Sequence, residues 1–214
     1  MTYNLIGDIH GRTSWRQLVR TDMINIFLGD YLDPYDRDDL QAASAEYDNL
    51  QDIIRFKQQH PETILLLGNH DLHYLWDEHH SRYNDEHAER YAQLIREHLH
   101  LFQAAYAIGD RVLVTHAGVT RPWLQLAGIS EQQSASRLAE AICRCMDNEG
   151  ARHLFSVEAT FLPDDSCGIS PTASPIWVRP YTLLDYGALT NHRGETIYQV
   201  VGHTQVSQIM QFDT

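Results

Sequence analysis

The chain of 214 residues is 43% hydrophobic and 21% charged, a balance that suits one globular domain with a full core. Its formal net charge is −13 and Lys57 is its only lysine, which argues against a long nucleic acid as partner because such binding needs a basic surface. We expect a cytoplasmic protein without membrane contact, since no stretch approaches the roughly 18 apolar residues of a membrane span and the three cysteines form no CxxC pair.

Five apolar runs predict the strands of the fold. In chain order they are "YNLIG", "MINIFLG", "TILLLG", "RVLVTHAG" and "IYQVVGHT". Each run is rich in Ile, Val and Leu and is too short for a buried helix. The stretch "AYAIGDRVLV" predicts a hairpin that turns at Gly109 and Asp110.

Three helices are predicted between these strands. Apolar residues at helical spacing indicate a helix over 40–57, which stops before Pro61, and another over 88–102. The sequence "SEQQ" matches a capping box and predicts a third helix that begins at Ser130 and runs through Ile142. Strands that alternate with helices indicate an α/β fold, with β-sheet layers flanked by helices.

Two segments between these elements read as insertions or loops. Residues 164–180, rich in Pro, Ser and Gly, are predicted to form a surface loop, and loops of this length often serve as lids or binding loops. Residues 72–84 are dense in His, Asp and Glu. We expect the histidines at positions 73, 79, 80, 87, 98 and 100 to be solvated, with a lid over a site as the alternative. Trp177 is expected in the core, unless it stacks on a base or ring of a substrate.

Every predicted strand is followed by residues of the types that bind metals. The blocks are "GDIH", "GDYLD", "GNHD", "THAG" and "GHT". Because sites in open α/β sheets lie beyond the carboxyl ends of the strands, these side chains should converge at one edge. The converging residues are Asp8, His10, Asp30, Asn69, His70, His116 and His203. Aspartates brought together in this way would repel one another unless cations were bound between them.

The mixture of these side chains narrows the choice of cation. Imidazole nitrogens with carboxylate and amide oxygens, without thiolate, favour Mn, Fe, Zn, Ni or Co over Ca or an all-oxygen Mg site. Seven such groups are too many for one tetrahedral ion. They suffice for two ions that share a carboxylate, the arrangement that serves phosphoryl transfer.

The blocks "GDIHG", "GDYLD", "GNHD", "THAG" and "GHTQV", in this order, resemble the five signature blocks of the calcineurin-like metallophosphoesterase superfamily. They run from residue 7 to residue 206. Within the superfamily the chain is most similar to the branch that holds serine/threonine protein phosphatases and bacterial diadenosine tetraphosphatase. The resemblance implies a metallophosphoesterase-type β-sandwich with its metal site at the carboxyl ends of the strands.

The resemblance also implies a role for each block residue. It implies one metal on Asp8, His10 and Asp30, and a second on Asp30, Asn69, His116 and His203. Among the metals that these ligands favour, we expect Mn. A metal-bridging hydroxide would attack phosphorus. His70 would protonate the departing oxygen, and Asp33 would orient its imidazole.

Two departures from the family pattern stand out. The second block of the family continues as Asp-Arg-Gly, whereas here Pro34 and Tyr35 follow Asp33, so an arginine for the substrate phosphate is missing. We expect Arg179 to supply that contact, with Arg12 and Asn69 as further phosphate ligands, because guanidinium suits bidentate phosphate binding. Arg37 is also close to the site in sequence. The family normally adds strands after "GHTQV", so this chain is either naturally short or truncated at its C-terminus.

We therefore predict a single metallophosphoesterase domain over 1–214, with insertions around 72–84 and 120–180. Its expected activity is two-metal hydrolysis of phosphate esters, as a phosphomonoesterase or serine/threonine-type phosphatase. The alternatives are a dinucleoside polyphosphate or phosphodiester hydrolase and a non-catalytic scaffold of the same fold. The expected partner is a phosphorylated small molecule, a phosphoprotein or a nucleotide, and the sequence leaves the oligomeric state open.

Overall fold

The computed structural model of the protein describes residues 1–35, 40–156 and 168–211, without the side chains of residues 40–44. Arg37 and Cys167 lie outside the described residues. The chain divides into two units, Met1–Gln103 and Ala104–Thr214, each with its own four-stranded sheet. The predicted α/β class, with β-sheets flanked by helices, is confirmed.

The sheet of the first unit is parallel throughout. Its strands are β1 (Tyr3–Ile6), β2 (Ile24–Phe27), β3 (Ile64–Leu66) and β4 (Phe102–Gln103), in the order β1-β2-β3-β4. Ile6 pairs with Phe27, and Phe27 pairs with Leu65. The first three predicted strands are therefore confirmed, and their carboxyl ends share one edge of this sheet.

The helices of the first unit agree with the sequence in part. They are α1 (Trp15–Leu18), α2 (Leu40–Gln59), α3 (Asn69–Trp76) and α4 (Ala88–Glu97), followed by a 3₁₀ turn (Leu99–Leu101). The predicted helix over 40–57 is confirmed and is two residues longer. The helix predicted over 88–102 ends at Glu97, because Phe102 is drawn into the sheet beside Leu65.

Aromatic side chains join three elements of the first unit. The ring of Trp15 on α1 lies 5.8 Å from Phe27 on β2 and 5.6 Å from Phe56 on α2, edge to face in both cases. The indole N–H of Trp15 donates to the Asn49 side chain at 2.9 Å, so this buried polar atom is satisfied. The contacts fix α2 against the sheet.

The sheet of the second unit is mixed. Its strands are β5 (Ala105–Ile108), β6 (Val112–Thr115), β7 (Leu189–Thr190) and β8 (Thr196–Val200), in the order β5-β6-β8-β7. β5 and β6 form the predicted hairpin, which turns at Gly109 with φ 62°. β6 and β8 are parallel, so their carboxyl ends meet. The five predicted strands thus belong to two sheets, three of them in the first unit and two in the second.

The helices of the second unit are α5 (Arg121–Leu126), α6 (Ala135–Asp147) and α7 (Pro180–Tyr186), with a 3₁₀ segment (Glu149–Phe155) after α6. The predicted start of α6 at Ser130 is wrong. Ser134 caps the helix instead, since its hydroxyl accepts from Arg137 N at 3.4 Å. The backbone N–H of Ala135 donates to Asp110 O at 2.9 Å and fixes this start. None of the helices in the described part of the chain combines the length and apolar character needed to cross a bilayer.

The segment 164–180, predicted as a surface loop, is largely buried where the structure describes it, and its first four residues lie outside the described residues. Its described part, 168–179, places Ala173 and Val178 against Ala117 in a core that Leu183 completes. Pro175 O accepts from Ala117 N at 2.7 Å, and turns within the segment satisfy other backbone groups. The prediction of a surface loop is therefore wrong for the described residues. The irregular backbone can be buried because its N–H and C=O groups have hydrogen-bond partners within the protein.

Candidate metal and catalytic site

The first two blocks of the first unit are joined through their backbones. The N–H groups of Ile9 and His10 both donate to Asp30 O, at 3.0 and 2.7 Å. His10 and Asp30 adopt left-handed backbone conformations, with φ of 44° and 51°. Such conformations cost energy in residues other than glycine, and they persist where surrounding contacts hold them, as here.

Asp8, His10 and Asp30 form a cluster of potential metal ligands. One ligand atom from each lies within 4.8 Å of the others. His10 and Asp30 are buried and Asp8 is half-buried. His10 Nε2 lies 3.6 Å from Asp30 Oδ2, too far for a hydrogen bond and suitable for two ligands of one ion.

The protonation of His10 tests whether these residues fit a metal. His10 Nδ1 lies 2.9 Å from Leu32 O, and a carbonyl only accepts, so Nδ1 carries the hydrogen. Burial is the largest influence on the imidazole and lowers the pKa of His10, which favours the neutral ring. The lone pair of Nε2 then faces a carboxylate. A bound cation resolves this repulsion, so the cluster fits a divalent metal.

Asp71 on α3 holds the loops after β2 and β3 in place. Its buried carboxylate accepts from the backbone N–H groups of Asp30, Tyr31 and Gly68, at 2.8, 2.9 and 2.9 Å. The two loops approach closely, because a Cβ at Gly29 would lie 2.5 Å from Gly68 N. Asp71 was not assigned a role from the sequence, although it belongs to the quoted "GNHD" block.

We expect Asp71→Asn to lower the free energy of unfolding by about 3 kcal/mol. An amide oxygen has two lone pairs for three donors, and its NH₂ group would face a backbone N–H. Denaturant titration measures the change, with the exposed Asp22→Asn as control. A loss below about 0.5 kcal/mol would contradict the role given to this carboxylate.

Asn69 and His70 begin α3 directly behind the third strand. Asn69 is buried at the first position of the helix. The backbone N–H of His70 donates to Asp30 Oδ1 at 2.9 Å, which ties the helix start to the Asp8, His10 and Asp30 cluster. The rings of His10 and His70 lie 5.2 Å apart. The structure thus brings the unit's predicted ligands and the predicted acid into one region.

The carboxylate of Asp33 contacts three polar side chains of α3, two of them by hydrogen bonds. His70 Nδ1 and His73 Nε2 lie 2.7 and 2.8 Å from Asp33 Oδ2, and the Tyr74 hydroxyl donates to Oδ1 at 2.5 Å. Burial alone would raise the pKa of Asp33, but the contacts with His70 and His73 outweigh it and lower the pKa. Asp33 therefore stays ionised and holds the His70 ring in a fixed orientation.

His73 was expected to be solvated, and this is wrong. It is buried, and burial is the main cause that lowers the pKa of His73. The helical spacing from His70 to His73 places both on one face, which is the signal that could have found it. Asp33, His70 and His73 also lie close enough to hold a metal, and of the two imidazoles only His70 makes a hydrogen bond to Asp33.

In the second unit, His116 follows β6 and His203 follows β8. His116 Nε2 and His203 Nδ1 are 3.2 Å apart, and Gly202 N donates to His116 O at 2.7 Å. Arg179 Nη1 donates to the hydroxyl of Thr204 at 3.4 Å, which places the predicted phosphate ligand beside the last block. Trp177 is buried, as expected, and its ring meets that of His203 edge to face at 5.8 Å.

Two arginines of the first unit lie over the exposed ring of Tyr35. The guanidinium of Arg82 is 4.0 Å from the ring centroid and that of Arg12 is 5.5 Å from it. Arg82 donates to Asp33 O at 3.0 Å, and its Nη2 lies 2.9 Å from His70 Nε2. Arg12, predicted as a phosphate ligand, lies 3.4 Å from Asp8 O. No local sequence signal distinguished Arg82, because it sits in a segment that reads as solvated.

Two comparisons with known proteins were informative about the family of this chain. A search of curated proteins found no significant match to the chain. The family model described as calcineurin-like phosphoesterase matches residues 1–204, nearly the full length. This match supports a metal-dependent phosphoester hydrolase, and the donor clusters described above are consistent with it. On this match and these ligand clusters, the chain belongs to the calcineurin-like phosphoesterase family.

Proposed function

We propose that the protein hydrolyses phosphomonoesters with the help of two divalent cations, preferably Mn. The observation that carries this proposal is the His10 imidazole, whose Nε2 lone pair faces the Asp30 carboxylate beside Asp8. Nitrogen and oxygen donors without thiolate suit Mn and its neighbours among the first-row metals. The family membership supports phosphoester hydrolysis as the reaction.

Asp8, His10 and Asp30 would hold the first cation. The second would be held by Asp30, Asn69, His116 and His203, as the resemblance to the family assigns them. When bound, such cations lower the pKa of water and offset the charge of phosphate oxygens. The close approach of His116 and His203 within their own unit is consistent with two imidazoles that serve one ion.

His70 would supply the proton for the leaving group. In hydrolysis the oxygen of water bonds to phosphorus, the ester P–O bond breaks, and the departing oxygen needs a proton. The Nδ1 of His70 is bound to Asp33, so Nε2 is the atom that would deliver it. Asp33 positions the ring and stabilises the imidazolium before the transfer.

The phosphomonoester is favoured over a dinucleoside polyphosphate by the environment of Trp177. A base-stacking role would favour the dinucleotide, yet only 7% of Trp177 is exposed and His203 covers part of it. This preference accords with the serine/threonine phosphatase branch. A non-catalytic scaffold is disfavoured because the ligand set and the Asp33–His70 pair are both present.

Hydrolysis assays with three substrates test the proposal. We expect p-nitrophenyl phosphate to be hydrolysed in the presence of Mn, faster than its diester analogue and diadenosine tetraphosphate. Prior chelation should abolish turnover, and added Mn should restore it. Elemental analysis of the same samples gives the number of ions bound. Turnover that survives chelation, or a preference for the diester, would contradict the proposal.

A further inference from the structure

We propose that Arg82 binds the phosphate of the substrate and covers the proton-donating atom of His70 until that phosphate arrives. This inference rests on the proposed function and names the residue that would select its substrate. It concerns the first unit alone, where Arg82, Tyr35 and His70 are in direct contact.

The position of Arg82 is fixed by three contacts. Its guanidinium lies over the Tyr35 ring, Nη1 donates to Asp33 O at 3.0 Å, and Nη2 donates to His70 Nε2 at 2.9 Å. The same Tyr35 ring meets that of His10 at 4.9 Å, edge to face. Arg82 therefore contacts a ring that also contacts His10, a residue of the metal-ligand cluster beside which the substrate phosphate would bind.

The charge of Arg82 is available for an anion. Its hydrogen bonds in the described part of the chain go to a carbonyl and to an imidazole, neither of which cancels a positive charge. Arg16 and Arg55, in contrast, both bind the carboxylate of Asp52. In a chain of formal net charge −13, a half-buried guanidinium with no carboxylate partner among residues 1–35, 40–156 and 168–211 is suited to an incoming anion.

The contact with His70 defines what the arriving phosphate would change. A guanidinium donates hydrogen bonds and cannot accept them. His70 Nε2 must therefore be the acceptor in its 2.9 Å contact with Arg82 Nη2. Nε2 therefore carries no hydrogen while Arg82 covers it. A phosphate that takes over the Arg82 donors would uncover this nitrogen beside the leaving oxygen. Nε2 would then take up a proton from water and pass it to that oxygen.

Arg12 adds a second positive charge at the same ring. It is exposed, and its guanidinium lies 5.5 Å from the Tyr35 centroid. Two guanidinium groups favour the dianion of a phosphomonoester over the single charge of a diester, because each further negative charge gains a charge-assisted contact. The pair therefore sets substrate class as well as position.

Binding of inorganic phosphate to the Mn-loaded protein tests the assignment by calorimetry. We expect Arg82→Gln to weaken binding by at least about tenfold and Arg82→Lys, which keeps the charge but loses the fork, by roughly three- to tenfold. The matched control is Arg90→Gln. Arg90 is exposed and its guanidinium lies 3.6 Å over the Tyr47 ring, so this variant loses the same kind of stacking elsewhere and should bind phosphate as wild type does.

Kinetics on the same variants give the second measurement. Arg82→Gln should raise KM for p-nitrophenyl phosphate about tenfold and that for the diester by less than about threefold. Phosphate affinity within twofold of wild type in both Arg82 variants would overturn the inference and leave the proposed hydrolysis intact. If wild type binds phosphate through Arg82 yet turns over no ester, the proposed function fails and the assignment stands. Should Arg82→Gln unfold, the lysine variant alone decides.

Discussion

Replacing His70 by asparagine is expected to lower kcat for a phosphomonoester by roughly 10²- to 10⁴-fold, the range for loss of a general acid. Asparagine can keep a hydrogen bond to Asp33 but cannot deliver a proton to the leaving oxygen. Because His70 contributes only its backbone N–H to Asp30, the bound metal content should stay near that of wild type. Steady-state kinetics and elemental analysis on the same preparation measure both quantities.

The leaving group separates proton donation from simple positioning. p-Nitrophenolate departs without much help, whereas the alkoxide of phosphoserine needs a proton, so the deficit should be at least about tenfold larger for phosphoserine. His79→Asn is the control, since His79 is an exposed histidine of the neighbouring segment. Equal deficits for the two substrates would argue that His70 positions the phosphate and does not protonate the leaving group.

The strands, and the cluster of Asp8, His10 and Asp30, could be predicted from the sequence because each is specified by neighbouring residues. A short run of Ile, Val and Leu that ends in glycine specifies a buried strand, and parallel pairing then brings the residues behind β1, β2 and β3 together. This pairing was enough to predict that Asp8, His10 and Asp30 lie together.

The start of α6 could not be predicted, because Ser130 and Ser134 are both suitable helix caps. The hydrogen bond from Ala135 N to Asp110 O, which forms only in the folded protein, selects Ser134.

Residues whose roles depend on distant contacts escaped prediction. Arg82 donates to Asp33, which lies 49 positions earlier in the chain, and the residues around Arg82 were predicted to be solvated. His73 was assigned to the solvent by composition, although its helical phase with His70 pointed inward. For residues 168–179, Pro, Ser and Gly indicated a surface loop, whereas the bond from Ala117 N to Pro175 O is made only in the folded unit.

Asp30→Asn is expected to remove most of the bound metal and to lower kcat by on the order of 10³-fold or more. The side chain keeps its size and one acceptor for the His70 N–H, but the charge that would bind a cation beside His10 is lost. Elemental analysis and kinetics provide the measurements. Asp48→Asn, at an exposed position of α2, removes the same charge away from the cluster and serves as control.

Thermal unfolding distinguishes lost metal binding from a damaged fold. Added Mn should raise the unfolding midpoint of wild type, because it binds the folded state preferentially, and should leave that of Asp30→Asn nearly unchanged. Without metal, the variant should be at least as stable as wild type, since one of the closely spaced carboxylates of Asp8 and Asp30 is neutralised. A Mn-induced rise as large as that of wild type would place the cation on other residues. A metal-free variant that unfolds earlier would instead show that the Asp30 carboxylate holds the loops together through its own hydrogen bonds.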